Sequence, residues 1–333
     1  ASLDVAKRFP ASERGAQALY WLGMRAENDR QRIAAWEQLR AKFPPRKFNW
    51  SASAMPSLFE AYLRTDPAKA ANFAGAMKAG AAKGAKDEAE KSAKEWDKRI
   101  ALASTVVAVN RDLAQGKSTQ AMTLLDKLAT ERTSSNAAMI VRLKARVLVA
   151  AGKKQEAYAS LLKQLAKAPD RDTHAALLQY GKHLGKTNAQ VEADLNAVLV
   201  AGSKPAAPFT LHAYGSNETV SQDKLKGKVV LISFWFPGCG PCRAEFPHLE
   251  EAVAPFRNDK DFAYLGINIV RDQDDFVESF MQQTKYSFTP LKGEGAVTKA
   301  YDKMGFAPYN LLIDRSGRII YSGFMAPDAE AGQ

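Results

Sequence analysis

Cysteine and histidine are scarce in this chain of 333 residues, which contains two cysteines and four histidines. A structural zinc site takes four such ligands, so the cysteines would have to recruit two of these few histidines. No run of about 18 apolar residues is present, which disfavours a membrane-spanning helix. No Gly-rich phosphate loop is present either, so we expect no nucleotide cofactor. The N-terminus lacks a charged start followed by an apolar segment, so we expect either a cytosolic chain or one whose signal segment has been removed.

Negative charge is sparse in the N-terminal part of the chain. The net charge is +11, and residues 1–203 carry 33 Lys and Arg against 20 Asp and Glu, whereas residues 204–333 carry 14 against 16. A basic surface can attract nucleic acid, an anionic membrane surface or an acidic protein. The cations are spread at helical intervals and are not clustered with aromatic residues, which favours a solvated helix exterior. We therefore expect no nucleic-acid partner, while an acidic protein or an anionic membrane surface stays open.

Residues 1–200 have the pattern of amphipathic helices. They are rich in Ala, Leu and Lys, and apolar positions recur every three or four residues, which predicts an all-α domain. Two segments match at an offset of 36 residues, and the matching residues are Gly116, Ala121 and Leu125 with Gly152, Ala157 and Leu161. The pattern resembles half of a tetratricopeptide-like helical hairpin. A generic helical bundle is the alternative.

The pattern changes after residue 200. Residues 201–208 contain two prolines among small residues, which predicts a linker. In the following domain, residues 209–333, the predicted elements are strands at 228–235 and 262–270, helices at 245–256 and 274–284, and a hairpin of 309–314 with 319–324. This order predicts an α/β sandwich around a mixed sheet.

Both cysteines lie in the motif Cys239-Gly240-Pro241-Cys242. A structural disulfide over so short a loop would contribute little stability, and a zinc site lacks further ligands, so redox chemistry is favoured. Cys239 follows a predicted buried strand where a helix should begin, and a helix N-terminus stabilises a thiolate. Cys242, one turn further, would be shielded and suited to resolve a mixed disulfide. Pro241 is tolerated at a helix start because its missing N–H would be unpaired there.

Residues 227–249 carry this motif in a context that resembles the thioredoxin fold, in the TlpA/ResA-like branch of extracytoplasmic thiol-disulfide oxidoreductases, which is related to AhpC/TSA proteins. The resemblance spans about 205–325 and includes a segment around Pro308 that looks like the cis-proline segment of the family. It implies a cis Ala307–Pro308 bond beside the cysteines, with backbone that binds the extended segment of a partner disulfide. The other residues assigned to partner binding are Trp235, which we expect to pack under the site, Gly240 and Pro241.

Glu245 corresponds to an acidic residue that the TlpA/ResA-like branch carries near its active site. The resemblance implies proton exchange between Glu245 and Cys242. The alternative is a first-turn glutamate that interacts only with the helix dipole. Ser233 stands where thioredoxin keeps a buried Asp, which places more of the proton transfer on Glu245. Pro237-Gly238 stands where the branch has a Trp before the first cysteine, which removes an aromatic ring from the partner-facing surface.

These observations predict a protein thiol-disulfide oxidoreductase. Cys239 would attack a disulfide of a partner protein and Cys242 would resolve it, with electrons from an upstream donor protein and no cofactor beyond the redox-active disulfide. The helical domain would dock or position partners, and the resemblance implies a periplasmic or other extracytoplasmic location. One alternative is a thiol peroxidase, which would need a Thr where Phe236 stands. Another is a helical scaffold or copper-handling protein, with Met304 or Met325 as a further ligand.

Overall fold

The structure is a computed structural model that describes residues 2–26, 28–81, 86–129, 136–294, 297 and 307–323. The chain divides into two compact units, residues 1–191 and 192–331.

The N-terminal unit is built from α-helices throughout its described residues, which confirms the predicted all-α domain. The helices are α1 (Ser2–Arg8), α2 (Glu13–Met24), α3 (Asp29–Lys42), α4 (Asn49–Thr65), α5 (Pro67–Ala81), α6 (Lys86–Ala114), α7 (Ser118–Ala129), α8 (Ala137–Ala150), α9 (Lys154–Lys167), α10 (Arg171–His183) and α11 (Asn188–Gly202). Among the residues with described coordinates, no helix combines the length and apolarity that a membrane crossing requires.

Polar side chains define where several of these helices begin and how they are joined. The side chain of Asn28 caps α3 by accepting a hydrogen bond from Gln31 N, at 3.0 Å. Asp29, in the first turn of α3, receives two hydrogen bonds of 2.7 Å from the guanidinium of Arg64 in α4 and a third of 2.7 Å from Arg32. This partly buried cluster of charges ties α3 to α4.

The two segments that match in sequence form equivalent turns in the structure. Gly116 lies between α6 and α7 at φ 71°, and Gly152 lies between α8 and α9 at φ 79°. In both turns the residue after the glycine donates its N–H to the carbonyl five residues earlier, at 2.8 Å. The matched apolar residues of both copies are fully buried. The tetratricopeptide-like assignment itself stays a prediction.

A third turn of this kind follows α10 and was not expected from the sequence. Gly185 has φ 75°, and the next residue, Lys186, donates its N–H to Gly181 O at 2.9 Å. The sequence match fails here because Gln190 stands five residues after the glycine, where the other two copies have a buried alanine. The backbone turn therefore recurs without the side-chain pattern that revealed the first two.

In its described residues, the C-terminal unit contains the part of α11 from residue 192 onward, a six-stranded mixed sheet in the order β1-β8-β7-β4-β5-β6, a separate β2-β3 hairpin and two further α-helices. The strands are β1 (Lys204–Pro205), β2 (Thr210–His212), β3 (Thr219–Ser221), β4 (Val229–Trp235), β5 (Phe262–Asn268), β6 (Thr289–Lys292), β7 (Tyr309–Ile313) and β8 (Arg318–Gly323), and the helices are α12 (Gly240–Val253) and α13 (Asp274–Thr284). Strands β4, β5 and β6 run parallel, and β7, β8 and β1 are antiparallel to their neighbours. The predicted α/β sandwich with a mixed sheet is confirmed. Strand β6 was not predicted.

The segment 201–208, predicted as a linker, is partly incorporated into the fold. Helix α11 continues to Gly202, and Pro205 pairs with Arg318 at the edge of the sheet. The guanidinium of Arg318 also donates to Ser203 Oγ, at 2.6 Å. Proline suits this place because an edge strand can leave one side of its backbone without ladder hydrogen bonds. Composition identified the end of the helical pattern but not this pairing.

Strand β4 lies in the middle of the sheet and contributes to two apolar layers. Its residues Val230, Ile232 and Phe234 pack into one cluster with the neighbouring strands and the β2-β3 region. Trp235 packs into the other cluster, with α12 and α13, as alternation of side chains along a strand requires. The second cluster contains both cysteines, so the site lies where β4 ends and α12 begins.

Candidate functional site

The two cysteines form a disulfide at the first turn of α12. Cys239 is the N-cap residue of the helix, and its Cα lies 5.3 Å from that of Cys242. The backbone N–H of Cys242 donates to Cys239 Sγ at 3.1 Å. The helix begins at Gly240, so Cys239 lies at the helix start that the motif predicts, and the helix extends five residues before the periodic pattern at 245–256. A sulfur at this position receives the N–H groups and the positive dipole end of the helix, which stabilise a thiolate when the pair is reduced.

The motif presents its central dipeptide to solvent and shields its sulfurs. Gly240 and Pro241 are exposed, whereas Cys239 is 2% exposed and Cys242 is fully buried. A partner would therefore meet Gly240 and Pro241 first. Both sulfurs are shielded, so the division into an attacking Cys239 and a resolving Cys242 stays a prediction.

Trp235 packs under the site, as expected, and its side chain has no exposed surface. Its assignment to partner binding stays a prediction. The Trp235 ring packs against those of Phe280, Phe288 and Phe246, with centroids 4.8, 5.1 and 5.7 Å away. Trp235 therefore supports the disulfide from the apolar layer beneath it. It is the last residue of β4, and alternation along the strand points it into the layer that α12 covers.

Glu245 lies on the buried face of α12, one turn after Cys242, and is 2% exposed. Its Oε1 accepts a hydrogen bond from Asn310 Nδ2 at 2.9 Å. The Oδ1 of Asn310 in turn accepts from the Ser233 hydroxyl at 2.5 Å. Ser233 and Asn310 are fully buried and face each other on the paired strands β4 and β7. A surface glutamate that interacts only with the helix dipole is therefore a poor description of Glu245.

Ser233 determines which way the Asn310 amide points. Because the hydroxyl donates to the amide oxygen, the amide nitrogen is left to donate to Glu245. The serine that replaces the buried aspartate of thioredoxin thus remains connected to the acidic residue of the site through one amide. Sequence reasoning missed Asn310, although an amide within an otherwise apolar strand run was a usable signal.

Tyr264, on β5, lies in the same buried region. Burial raises the pKa of its hydroxyl, and the carboxylates of Glu250 and Glu245 raise this pKa further. Tyr264 therefore stays protonated at neutral pH and cannot act as a base there.

The loop before the disulfide is held by two side chains that sequence reasoning also missed. The N–H of Gly238 donates to Gln273 Oε1 at 2.7 Å, and Arg243 Nε donates to Pro237 O at 3.2 Å. The guanidinium of Arg243 also lies over the Phe280 ring, 5.2 Å from its centroid. The Pro237-Gly238 segment is thus held in place by these hydrogen bonds. Gln273 was missed because no local sequence pattern links it to this segment.

The Ala307–Pro308 peptide bond is cis, as the resemblance implies. Ala307 packs against the apolar cluster that contains both cysteines, and Pro308 is buried. Met304 and Met325, named as further copper ligands, lie outside the described residues. Within the described ranges, no group of three or more His, Cys, Asp or Glu residues is arranged to hold a metal ion.

The C-terminal part of the chain matches a known protein family. The family model described as Redoxin covers residues 201–330. These residues form a Redoxin domain. The match begins near the end of α11 and includes the disulfide, Glu245 and the cis-proline segment.

Curated relatives match the chain in the same domain. The thiol-disulfide oxidoreductase ResA of Oceanobacillus iheyensis is 31% identical over 106 residues, which are 30% of this chain and 52% of the relative. The thioredoxin-like protein YneN of Bacillus subtilis is 25% identical over 114 residues, 34% of this chain and 66% of the relative. The chain spans about half the length of the ResA relatives it matches.

Among solved structures, the thioredoxin domain of a thiol-disulfide oxidoreductase from Bacteroides vulgatus is similar to the Redoxin domain. It is 29% identical, with a TM-score of 0.33, and the match covers 36% of this chain and 86% of that one.

Proposed function

We propose that this protein is a thiol-disulfide oxidoreductase that reduces disulfides of a partner protein with the Cys239–Cys242 pair. The observation that carries the proposal is a disulfide at a helix N-terminus, followed one turn later by a buried carboxyl group. The relatives named thiol-disulfide oxidoreductase support this class of reaction.

The reaction would proceed through two thiol-disulfide exchanges. The Cys239 thiolate attacks one sulfur of the partner disulfide, so a mixed disulfide forms and the other partner sulfur leaves as a thiolate. The Cys242 thiol passes its proton to the Glu245 carboxylate and attacks Cys239 Sγ. The Cys239–Cys242 disulfide forms, the second partner sulfur leaves, and two electrons have passed to the partner. A dithiol of an upstream donor protein then reduces the pair by the reverse exchanges.

Glu245 is proposed as the proton acceptor because it is buried on α12 one turn after Cys242, which is buried as well. Asn310 donates to the carboxyl at 2.9 Å, and a hydrogen bond to a carboxylate favours the ionised form that accepts a proton. Burial works in the opposite direction by disfavouring charge.

The direction of electron flow and the location are proposed from the cysteine motif and the family resemblance. The Gly-Pro dipeptide between the cysteines is that of thioredoxin, a reductant with a potential of about −270 mV. The resemblance to the TlpA/ResA-like branch supports an extracytoplasmic location, where disulfides of partner proteins persist. Measuring the potential of the pair against glutathione or dithiothreitol buffers tests the direction, and fractionation of the native cells tests the location.

Reduction of insulin disulfides by the full chain in the presence of dithiothreitol tests the activity. We expect clear acceleration by the intact protein and none by the Cys239→Ser variant. In a separate mixture without dithiothreitol, the reduced Cys242→Ser variant should accumulate a mixed disulfide with insulin, because Cys239 can still attack but no second thiol of the site resolves the adduct. An intact protein no faster than Cys239→Ser would refute the proposal.

A further inference from the structure

A groove opens in the N-terminal unit between α3, α4, α5 and α6, with a volume of about 910 Å³. Its floor is apolar and consists mainly of Met55, Pro56, Met77 and Trp96. Met55 and Trp96 are 1% and 6% exposed, so these floor residues are part of the buried helical core and do not project into solvent. Methionine side chains adapt to ligands of different shape, which suits a binding surface.

Four cations surround this floor. We call the apolar floor and its four cations together the basic groove. The cations are Arg40, Arg46, Lys91 and Arg99, against Glu95 as the one carboxylate among the described lining residues. Glu95 is already engaged by Lys98, with Nζ to Oε1 at 2.7 Å. The groove therefore has an excess of positive charge that its own acidic residue does not neutralise.

The contacts of the three arginines leave their charge available. Arg46 donates to the carbonyl oxygen of Gly80 at 2.6 Å, and Arg99 donates to that of Glu95 at 3.1 Å. Arg40 lies over the Phe73 ring, 5.3 Å from its centroid. Arg40 and Arg99 attract the carboxylates of Glu37 and Glu95 electrostatically. Among the described residues, however, no ion pair with an N–O distance of 4 Å or less involves any of the three arginines, and the buried Arg99 Nε has no hydrogen-bond acceptor. Carbonyl and ring contacts orient a guanidinium without cancelling its charge.

We propose that the basic groove binds an acidic segment of a partner protein that also carries apolar side chains. Carboxylates of the segment would pair with the rim, and its apolar side chains would cover the floor. The charge excess of residues 1–203 would also attract such a partner from a distance.

The shape of the groove favours a protein segment over the other anionic partners. A membrane surface is broad and flat, so it would contact convex faces and leave a concave floor uncovered. Single-stranded nucleic acid binds through exposed aromatic faces, and Trp96, the aromatic residue of the lining, is buried. An extended or helical peptide can place both carboxylates and apolar side chains inside the groove.

Binding of labelled synthetic peptides to the full chain tests the proposal by fluorescence anisotropy at about 0.15 M salt, where distant surface charges are screened over about 8 Å. The probe repeats Glu-Glu-Leu, and the comparison peptides repeat Lys-Lys-Leu and Glu-Glu-Ser. We expect the first peptide to bind, the second not to bind, and the third to bind more weakly because it leaves the floor uncovered. Absence of Glu-Glu-Leu binding, or equal binding of all three peptides, would overturn the proposal.

Charge reversal inside and outside the groove separates this site from general electrostatics. The Arg40→Glu/Arg46→Glu variant should weaken Glu-Glu-Leu binding about tenfold or more, as expected for the loss of several charge contacts. The matched control Lys42→Glu/Lys47→Glu changes the net charge equally at exposed positions in the same segment that do not line the groove. Its binding should stay within about twofold of the wild type, since well-screened surface charges contribute little. Equal losses in both variants would refute a specific groove.

Two further measurements cover the remaining outcomes. The Lys91→Glu variant changes the opposite rim without altering α3, so it repeats the test if the double variant does not fold. Vesicles of phosphatidylglycerol and phosphatidylcholine test whether an anionic membrane surface is the partner. If the protein binds these vesicles tightly, and the groove variants and the control variants lose this binding equally, the proposal is overturned. Reduction of a small disulfide such as dithiobis-nitrobenzoate should be the same in all these variants. Peptide binding and redox activity can therefore fail independently of each other.

Discussion

Replacement of Asn310 by leucine should change the pH dependence of the resolving reaction, in which Cys242 attacks the mixed disulfide. The acid limb of its pH–rate profile, where the rate falls with decreasing pH, should move to higher pH. Asn310 Nδ2 donates to Glu245 Oε1 at 2.9 Å in a site where both residues are at most 2% exposed. A hydrogen bond to a charged group contributes about 1.5–3 kcal/mol. Since one pH unit corresponds to about 1.4 kcal/mol, loss of this bond should raise the midpoint of the acid limb by about one to two pH units.

The assay follows the two thionitrobenzoate molecules released when the reduced protein reacts with excess dithiobis-nitrobenzoate. Attack by Cys239 releases the first, in a phase whose rate depends on reagent concentration. Attack by Cys242 on the mixed disulfide releases the second, in a phase independent of that concentration. The pH dependence of the second phase reports the proton transfer assigned to Glu245.

Two controls separate a role in positioning Glu245 from a general loss of packing. Asn268→Leu also removes a buried amide, one that donates to Asp274 at 2.8 Å, so it should lower stability without moving the acid limb. Glu245→Gln removes the titrating group, so adding Asn310→Leu to it should change the pH profile no further. A folded Asn310→Leu protein with an unmoved acid limb, or a shift that persists in the Glu245→Gln background, would refute the reasoning.

Three further predictions concern stability. Gly266→Ala should lower the free energy of unfolding by about 1–3 kcal/mol in denaturant titrations, because a Cβ there would lie 2.4 Å from the Phe288 ring. An unchanged free energy of unfolding would mean that the Phe288 ring can shift to make room for the methyl group. Gly116→Ala should lower the free energy of unfolding by about 1 kcal/mol because φ is 71°, whereas the control Gly75→Ala, in open space within α5, should raise it by about 0.5–1 kcal/mol. Burial alone would raise the pKa of Asp29, but the two arginines that pair with it hold this pKa below its ordinary 3.8. The stabilisation by Asp29 is present above pH 3.8 and is lost as the pH falls through the lower folded-state pKa, so Asp29→Asn should be less stable than wild type at pH 7 and equally stable in strong acid.

Local spacing in the sequence was sufficient for much of the fold. Helical periodicity before residue 200 and the later succession of strands and helices predicted both architectures. Apolar residues recur every 3.6 positions in an amphipathic helix and every 2 positions in a strand, so neighbouring residues are enough to recognise either. The predicted helix at 274–284 agrees with α13 residue for residue. Apolar periodicity indicated α12 only from residue 245, because Gly240 and Pro241 are weak helix formers, and the earlier start followed from the cysteine motif and the preference of Pro for a first helical turn.

Other features depend on pairings between distant segments. The link from Ser233 through Asn310 to Glu245 joins β4, β7 and α12, and it exists only because β4 and β7 pair with Ser233 opposite Asn310. The hydrogen bond from Gly238 N–H to Gln273 likewise spans 35 residues. No local period records such contacts, since the register of a sheet depends on how whole strands pack.

The sequence by itself determined that two cysteines stand where a buried strand gives way to a helix, and the family resemblance added a cis-proline and a nearby acidic residue. Only the tertiary structure decided that Glu245 is a buried partner of Asn310. The same holds for residues 204 and 205, which form an edge strand. The physical reason is that secondary structure follows from near neighbours, whereas burial and hydrogen-bond partners follow from which strands and helices meet.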